Sequence, residues 1–184
     1  MSSKNIKQLV TAAVLLALTL AFQSGIRLLM GEHIISTYLI STLVNSCLIL
    51  AACLVNLWAG LLIAVAAPLM ALLQGHVKAP LMLPFLMAGN AVPVLLYGIF
   101  PGRSLRKTGR MPMPSFAVAG TAAAVLKFAV IAVGNALVLS TKQGTVLWAA
   151  LGAGAGLQVQ QLVTALLAMA VCYAILPRIK KAVD

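Results

Sequence analysis

Acidic residues are almost absent from this chain, which has only Glu32 and Asp184 among its 184 residues. They provide no evident carboxylate pair for acid–base catalysis and no evident carrier for coupling protons or sodium ions to transport. Charged residues of both signs make up 8% of the chain, whereas hydrophobic residues make up 62%. The surface of a soluble domain needs more charge than this. The sequence therefore predicts an integral membrane protein.

Other signatures of chemistry are missing as well. No glycine-rich phosphate loop ends in lysine, so we expect no ATPase activity in this chain itself. Cys47, Cys53 and Cys172 form no CxxC pair and lie in apolar runs, where cysteine acts as a small hydrophobic residue. The two histidines, His33 and His76, have no carboxylate pair beside them and make a poor metal site. We expect no enzyme, no cofactor and no metal in this chain.

The positive charge is concentrated in the breaks between apolar runs. A net charge of +11 could indicate nucleic-acid binding, but nine of the 13 Lys and Arg residues lie near the two ends and in the central break. They are Lys4, Lys7, Arg103, Arg106, Lys107, Arg110, Arg178, Lys180 and Lys181. Such clusters mark the cytoplasmic side of a membrane protein. We therefore expect no nucleic-acid partner, and both termini in the cytoplasm.

Six apolar runs are long enough to cross a bilayer. They lie at roughly 8–30, 35–55, 57–75, 80–100, 114–140 and 145–176, and a spanning helix needs about 20 residues. The last run is longer than a perpendicular span requires, so we expect it to tilt, to kink near its glycines or to begin with an outer loop. The basic break 101–113 contains prolines and glycines that cannot continue a helix, and it falls on the cytoplasmic side. We interpret residues 1–184 as one all-α domain of six transmembrane helices. The first run is too long for the core of a signal peptide, so we expect it to be retained.

The first apolar run presents two different faces. Ala13, Ala17 and Ala21 recur every fourth residue and form a strip of small side chains along a helix. Such a strip allows another helix to approach closely in lipid. Gln23 and Arg27 follow Thr19 at the same spacing on another face. Exposing these polar side chains to lipid has a high free-energy cost. We interpret this helix as a docking surface on one side and part of a binding site on the other.

Polar residues collect in the outer halves of the predicted spans and in the outer loops. In the second span Tyr38, Ser41, Thr42 and Asn45 share one face. The candidates for substrate binding are Gln23, Arg27, His33, Tyr38, Gln74, His76, Lys78, Asn90, Lys127, Asn135, Gln158 and Gln161. The inner halves are almost purely apolar. The pattern predicts a polar cup that opens outward over a closed floor.

Several of the intramembrane polar residues also have a simpler explanation. Asn45, Asn90 and Asn135 are buried amides of the kind that hold helices together by hydrogen bonds. Arg27 lies near a helix end, where a long cationic side chain can reach the membrane interface. Lys127 lies deeper, where an ammonium without a partner is costly, and this favours an internal role.

The whole pattern resembles the substrate-binding S-component of an energy-coupling factor (ECF) vitamin transporter. The resemblance rests on six helices in a chain of this length and on two stretches, Lys7–Ala21 and Gln160–Ala168, the latter followed by Leu176–Lys181. In the first stretch, the Ala13, Ala17 and Ala21 spacing is similar to the Ala-xxx-Ala docking motif of that family. The resemblance covers essentially the whole chain, although no ligand-specific signature of the better-known subfamilies can be placed.

The resemblance implies a prokaryotic, multi-pass plasma-membrane protein that captures a small water-soluble vitamin or precursor from outside. Its alanine strip would dock on a transmembrane coupling subunit joined to two cytoplasmic ATPases, which use the ATP. The cationic residues around the proposed cup favour an anionic or zwitterionic ligand. The few aromatic residues favour a ligand without a large flat ring.

Two other functions remain open at this point. One is a standalone secondary transporter or facilitator for a small solute, which would need a path through the apolar inner halves. The other is a structural membrane subunit whose polar side chains only hold helices together. Ligand binding by the isolated protein separates the structural subunit from the two transport functions.

Overall fold

The computed structural model describes residues 3–77, 79–109, 111–144 and 146–183. This part of the chain is 91% helical and contains no strand. Seven α-helices follow one another: α1 Ser3–Met30, α2 Ile34–Leu50, α3 Leu57–Leu73, α4 Leu83–Ile99, α5 Pro101–Thr108, α6 Met113–Gln143 and α7 Leu147–Val183. A π-helical segment, Ala51–Val55, extends α2, and a 3₁₀ turn, Pro80–Met82, precedes α4.

Five helical segments are long and apolar enough to cross a membrane. They are Asn5–Met30, Ile34–Val55, Pro80–Ile99, Met113–Thr141 and Gln158–Ile179, and α3 is a shorter apolar helix of 17 residues. The chain is therefore an all-helical, multi-pass membrane protein. α7 has 37 residues and would be about 55 Å long at 1.5 Å per residue, so it exceeds the thickness of a bilayer core.

Local sequence signals explain where the helices end. Four glycines adopt positive φ angles of 62° to 73° directly after helices or one residue beyond, namely Gly31, Gly75, Gly109 and Gly144. Glycine reaches this left-handed conformation without a steric penalty. Between the π-helical segment and α3, Asn56 is extended, and its Oδ1 accepts the Ala59 N–H at 2.8 Å. This cap begins α3 immediately after the previous helix ends.

The central break differs from its predicted form. We expected residues 101–113 to be a loop, but the structure contains α5 within it. Pro101 occupies the first position of that helix, where the missing proline N–H removes no helical hydrogen bond. Leu105 is buried, whereas Arg103 and Lys107 are exposed. α5 is therefore a short amphipathic helix rather than an irregular loop.

Buried apolar side chains from all the helices form the core. α6 packs mainly along α7 and α4, while α2 packs against α7 and α1, and α3 packs against α4. The largest buried side chains include Tyr97, Phe116, Leu48, Ile49 and Leu176. The rings of Tyr97 and Phe116 lie 4.9 Å apart between their centroids. This packed apolar region lies beneath the cavity described next.

Candidate functional site

A cavity of about 260 Å³ lies between the helices at the end of the bundle that carries residues 31–33 and 74–77. Eighteen residues from all the long helices and one connection line it: Gln23, Arg27, Thr37, Ile40, Ser41, Val44, Asn45, Pro68, Ala71, His76, Val77, Leu86, Asn90, Lys127, Ile131, Gln158, Gln160 and Gln161. No Phe, Tyr or Trp side chain occurs among these lining residues. Amide, hydroxyl and cationic groups therefore dominate its polar surface.

A lysine and two asparagines form a buried cluster in the wall of the cavity. Lys127 of α6 is 3% exposed, and its Nζ donates to Asn45 Oδ1 of α2 at 2.6 Å and to Asn90 Oδ1 of α4 at 2.8 Å. Asn45 Nδ2 in turn approaches Thr164 Oγ1 of α7 at 3.5 Å. The cluster thus joins four helices at one point. Both lysine partners are neutral amides.

Glycine allows the helices of this cluster to come together. A Cβ atom on Gly89 of α4 would lie 2.7 Å from Ile131 Cγ1 and 3.7 Å from Lys127 Cγ, both on α6. The absence of a side chain at Gly89 therefore lets α6 approach α4 closely, as small residues do between membrane helices. Asn90 follows directly in sequence, which places its amide beside the Lys127 ammonium.

Charged groups surround the mouth of the cavity. Arg27 Nη1 lies 3.4 Å from Glu32 Oε1, and His76 Nδ1 lies 3.9 Å from the same oxygen. Arg27 and His76 line both the cavity and a neighbouring shallow recess of about 290 Å³, which Glu32 and His33 also line. Burial and the nearby Arg27 guanidinium lower the pKa of His76, and Glu32 opposes the shift. His76 is therefore biased toward its neutral form.

The backbone positions His76 through the end of α3. The His76 N–H donates to Ala71 O at 2.8 Å, and the Gly75 N–H donates to Leu72 O at 2.9 Å. This pair of bonds, with Gly75 at a φ of 73°, is the Schellman arrangement that closes a helix. The imidazole is thus held at the cavity by a defined turn rather than by a long loop.

Gln23 carries a buried hydrogen-bond acceptor that no described residue satisfies. Its Nε2 donates to Ala67 O at 3.2 Å, which fixes the orientation of the amide, while its Oε1 is buried and has no partner among the described residues. A buried polar atom left unpaired is costly. A ligand in the cavity that donates an N–H or O–H group would remove this cost.

The cavity brings together more than half of the residues that the sequence predicted for it. Those that line it are Gln23, Arg27, His76, Asn90, Lys127, Gln158 and Gln161. His33 lines the shallow recess and not the cavity. Lys78 lies outside the described residues.

Three predicted residues do not line the cavity. Tyr38 is half-buried elsewhere on α2. Gln74 donates to Ser24 Oγ at 2.6 Å and so links α3 to α1. Asn135 lies at the contact of α6 with α7, where its Cβ would be 3.4 Å from a Cβ atom on Gly154. Gln74 and Asn135 thus lie where helix-to-helix contacts form.

Four polar residues line the cavity without having been predicted as binding residues: Thr37, Ser41, Asn45 and Gln160. Ser41 and Asn45 lie on the polar face of the second span, so their spacing was the signal that could have found them. Gln160 lies between two predicted glutamines, and its Nε2 donates to Ser41 Oγ at 3.4 Å. Periodicity alone placed it on a different face from Gln158.

The two faces of α1 differ in burial. Ala13, Ala17 and Ala21 are exposed, whereas Thr19 is fully buried and donates its hydroxyl to Leu15 O at 2.8 Å. Only 11% of the most apolar window of α1 is buried in the bundle, compared with 67% for the segment Ile34–Val55. α1 is therefore a peripheral helix with its alanine strip on the outer surface.

Comparisons with protein-family models, curated proteins and solved structures find no match to this chain. Among the residues that the structure describes, no three His, Cys, Asp or Glu side chains come together as a metal site requires. The site is thus characterised by its own geometry, a polar cavity with a buried ammonium in an apolar helical bundle.

Proposed function

We propose that this chain is the substrate-capture subunit of an ECF-type importer, with six membrane crossings and both termini in the cytoplasm of a prokaryote. It binds a small water-soluble vitamin or precursor, anionic or zwitterionic, on the outer side of the plasma membrane. The observation that carries the proposal is the polar cavity, which lies at one end of an otherwise apolar bundle. Cations and amides within an apolar helical bundle are costly unless they pair with one another or serve a ligand.

The packing beneath the cavity supports capture rather than conduction. Below Lys127 and Asn90, the described side chains form a continuous buried core that includes Val94, Tyr97 and Phe116. A channel or a simple facilitator needs a path through this region. A capture subunit needs only one opening at a time, because movement of the whole subunit delivers the ligand.

The exposed side of α1 supports docking on a partner. The alanine strip leaves a smooth surface, and bulkier exposed residues such as Val10, Val14 and Leu18 lie beside it. In the proposed importer this strip contacts the transmembrane coupling subunit, and two cytoplasmic ATPases supply the energy by hydrolysing ATP. The chain itself has no catalytic role.

The first experiment is a ligand screen on the protein purified in mild detergent. Its thermal stability is measured with each of the B vitamins and their precursors, since a ligand at one hundred times its Kd adds about 2.7 kcal/mol to the free energy of unfolding. Stabilisation by one compound is the expected result. If no vitamin or precursor stabilises the protein, the vitamin-capture function is refuted, and a facilitator or a structural subunit takes its place.

Proteoliposomes distinguish the proposal from the alternative of a standalone transporter or facilitator. Vesicles that contain only this chain should bind the ligand without accumulating or equilibrating it. Equilibration of the labelled ligand across such vesicles, at a rate well above that of protein-free vesicles, would establish the facilitator instead.

A further inference from the structure

The Lys127 ammonium has no anionic partner among the described residues. Its Nζ uses two of three N–H groups on the amide oxygens of Asn45 and Asn90. The chain has only two acidic residues, of which Glu32 contacts Arg27 and His76, while Asp184 lies outside the described residues. Amide oxygens orient an ammonium group but do not neutralise it.

This arrangement is ready to receive an anionic group. Lys127 lines the cavity, and its buried position makes an ion pair there much stronger than one in water. We infer, on the basis of the proposed capture function, that the cavity binds a compact aliphatic carboxylate and that the ligand carboxylate supplies the counter-charge of Lys127. Asn45 and Asn90 are positioning residues, because they hold the ammonium by its other two N–H groups.

The charges favour a monocarboxylate over a phosphate ester. Of the cations lining the cavity, Arg27 already has Glu32 at 3.4 Å, and the same carboxylate lies 3.9 Å from His76. Among the described Lys and Arg side chains that line the cavity, Lys127 is thus the one with no carboxylate beside it. One unpaired positive charge matches one carboxylate.

The other residues that line the cavity limit the size and the chemical groups of the ligand. The volume of about 260 Å³ is below the range typical of drug-sized ligands, and the described lining contains no Phe, Tyr or Trp side chain on which a flat ring could stack. The unpaired Gln23 Oε1 requires a donor. The ligand therefore combines an aliphatic body, one carboxylate, and at least one N–H or O–H group.

Pairs of compounds that differ only at the acid test this inference. Isothermal titration in detergent compares pantothenate with panthenol and biotin with biotin amide, in which an alcohol or an amide replaces the carboxylate. Octanoate is an acid without a donor and represents a membrane fatty acid, while thiamine represents a cation. We expect one of the two acids that carry an N–H or O–H donor, pantothenate or biotin, to bind. The affinity for its neutral counterpart should be at least about tenfold lower.

A charge-removing variant tests the role of Lys127 directly. Lys127→Met should lower the affinity for the acid by at least about tenfold. It should leave the weaker affinity for the neutral counterpart of that acid unchanged. Lys107→Met on the exposed side of α5 removes the same charge far from the cavity and should change neither. If Lys127→Met does not fold, the comparison of acid with neutral partner in the unaltered protein decides the question.

The possible failures are distinguishable. Equal binding of an acid and its neutral partner, or preference for thiamine, would overturn the carboxylate inference while leaving the capture function intact. Preference for octanoate would overturn it in favour of a lipid-derived acid. Absence of binding by all these compounds would overturn the inference, and the wider vitamin screen would then decide the capture function separately.

Discussion

Arg106 should stabilise the fold far more than its place in a basic, surface-facing segment suggests. Its Nη1 donates to Ala52 O and, at 3.3 Å, to Cys53 O, while Nη2 donates to Gly98 O at 3.0 Å. Ala52 and Cys53 lie in the last turn before the π-helical segment ends at Val55, and Gly98 lies in the last turn of α4. Carbonyls at helix ends lack partners within their own helix, so one guanidinium caps two helices.

The geometry indicates the size of the effect. Ala52 and Cys53 are at most 1% exposed, so water cannot replace the lost donor there. We count the shared Nη1 contact as one bond and the Nη2 contact as a second, each contributing about 1.5 kcal/mol because Arg106 is only half-buried. Arg106→Ala should therefore lower the free energy of unfolding by about 3 kcal/mol.

Denaturant unfolding in detergent measures this change against two matched variants. Arg103→Ala removes an equal charge from the exposed side of the same helix and should alter stability by less than about 0.5 kcal/mol. Arg106→Lys keeps the charge but loses the planar guanidinium, so its loss of stability should lie between those of Arg103→Ala and Arg106→Ala. Equal losses in Arg103→Ala and Arg106→Ala would refute the reasoning, because charge alone would then explain the effect.

Three further predictions concern packing, pH and docking. Gly154→Ala would place a Cβ 2.9 Å from Ala132 O and should lower the free energy of unfolding, measured with denaturant, by about 1 to 3 kcal/mol. A Cβ at Gly152 would meet no described atom within 4 Å, so Gly152→Ala should leave the free energy of unfolding unchanged. Since the pKa of His76 is lowered in the folded protein, the unfolded chain binds more protons as the pH falls below 6.5. The thermal midpoint should therefore fall on acidification through that range, and His76→Gln should reduce the slope; an unchanged slope would contradict this. Ala17→Trp should abolish ATP-driven uptake in vesicles containing the coupling module while ligand titration stays normal, and loss of both would assign the strip to the bundle's own packing.

The helical architecture could be predicted because hydrophobicity and length carry most of the information in a membrane protein. The predicted runs lie on the observed helices, and Asn56, Gly31 and Gly75 mark breaks that their backbone preferences explain. The helix Pro101–Thr108 was missed because prolines and glycines were interpreted only as breakers. Its stability depends on Leu105 and Arg106 packing against other helices, which no local pattern reveals.

The candidate site was predicted by residue type more than by position. Lys127 and Asn90 stand out in any apolar span, since polar groups there need partners. That they share one cluster with Asn45, 82 residues from the lysine, depends on the close contact of α4 with α6 at Gly89. Gln74 and Asn135 also carry side-chain amides and were predicted at a similar depth in the membrane. They nevertheless lie between helices and outside the cavity lining.

The sequence by itself determined the membrane class, the helical periodicity and the two faces of α1, because each follows from the transfer cost of side chains and from 3.6 residues per turn. Only the tertiary structure decided which polar groups meet. An amide on a membrane helix is satisfied equally well by a neighbouring helix or by a ligand, so its role depends on where the helices separate. In this chain they separate above Lys127, and the cavity there leaves its charge without an anionic partner among the described residues.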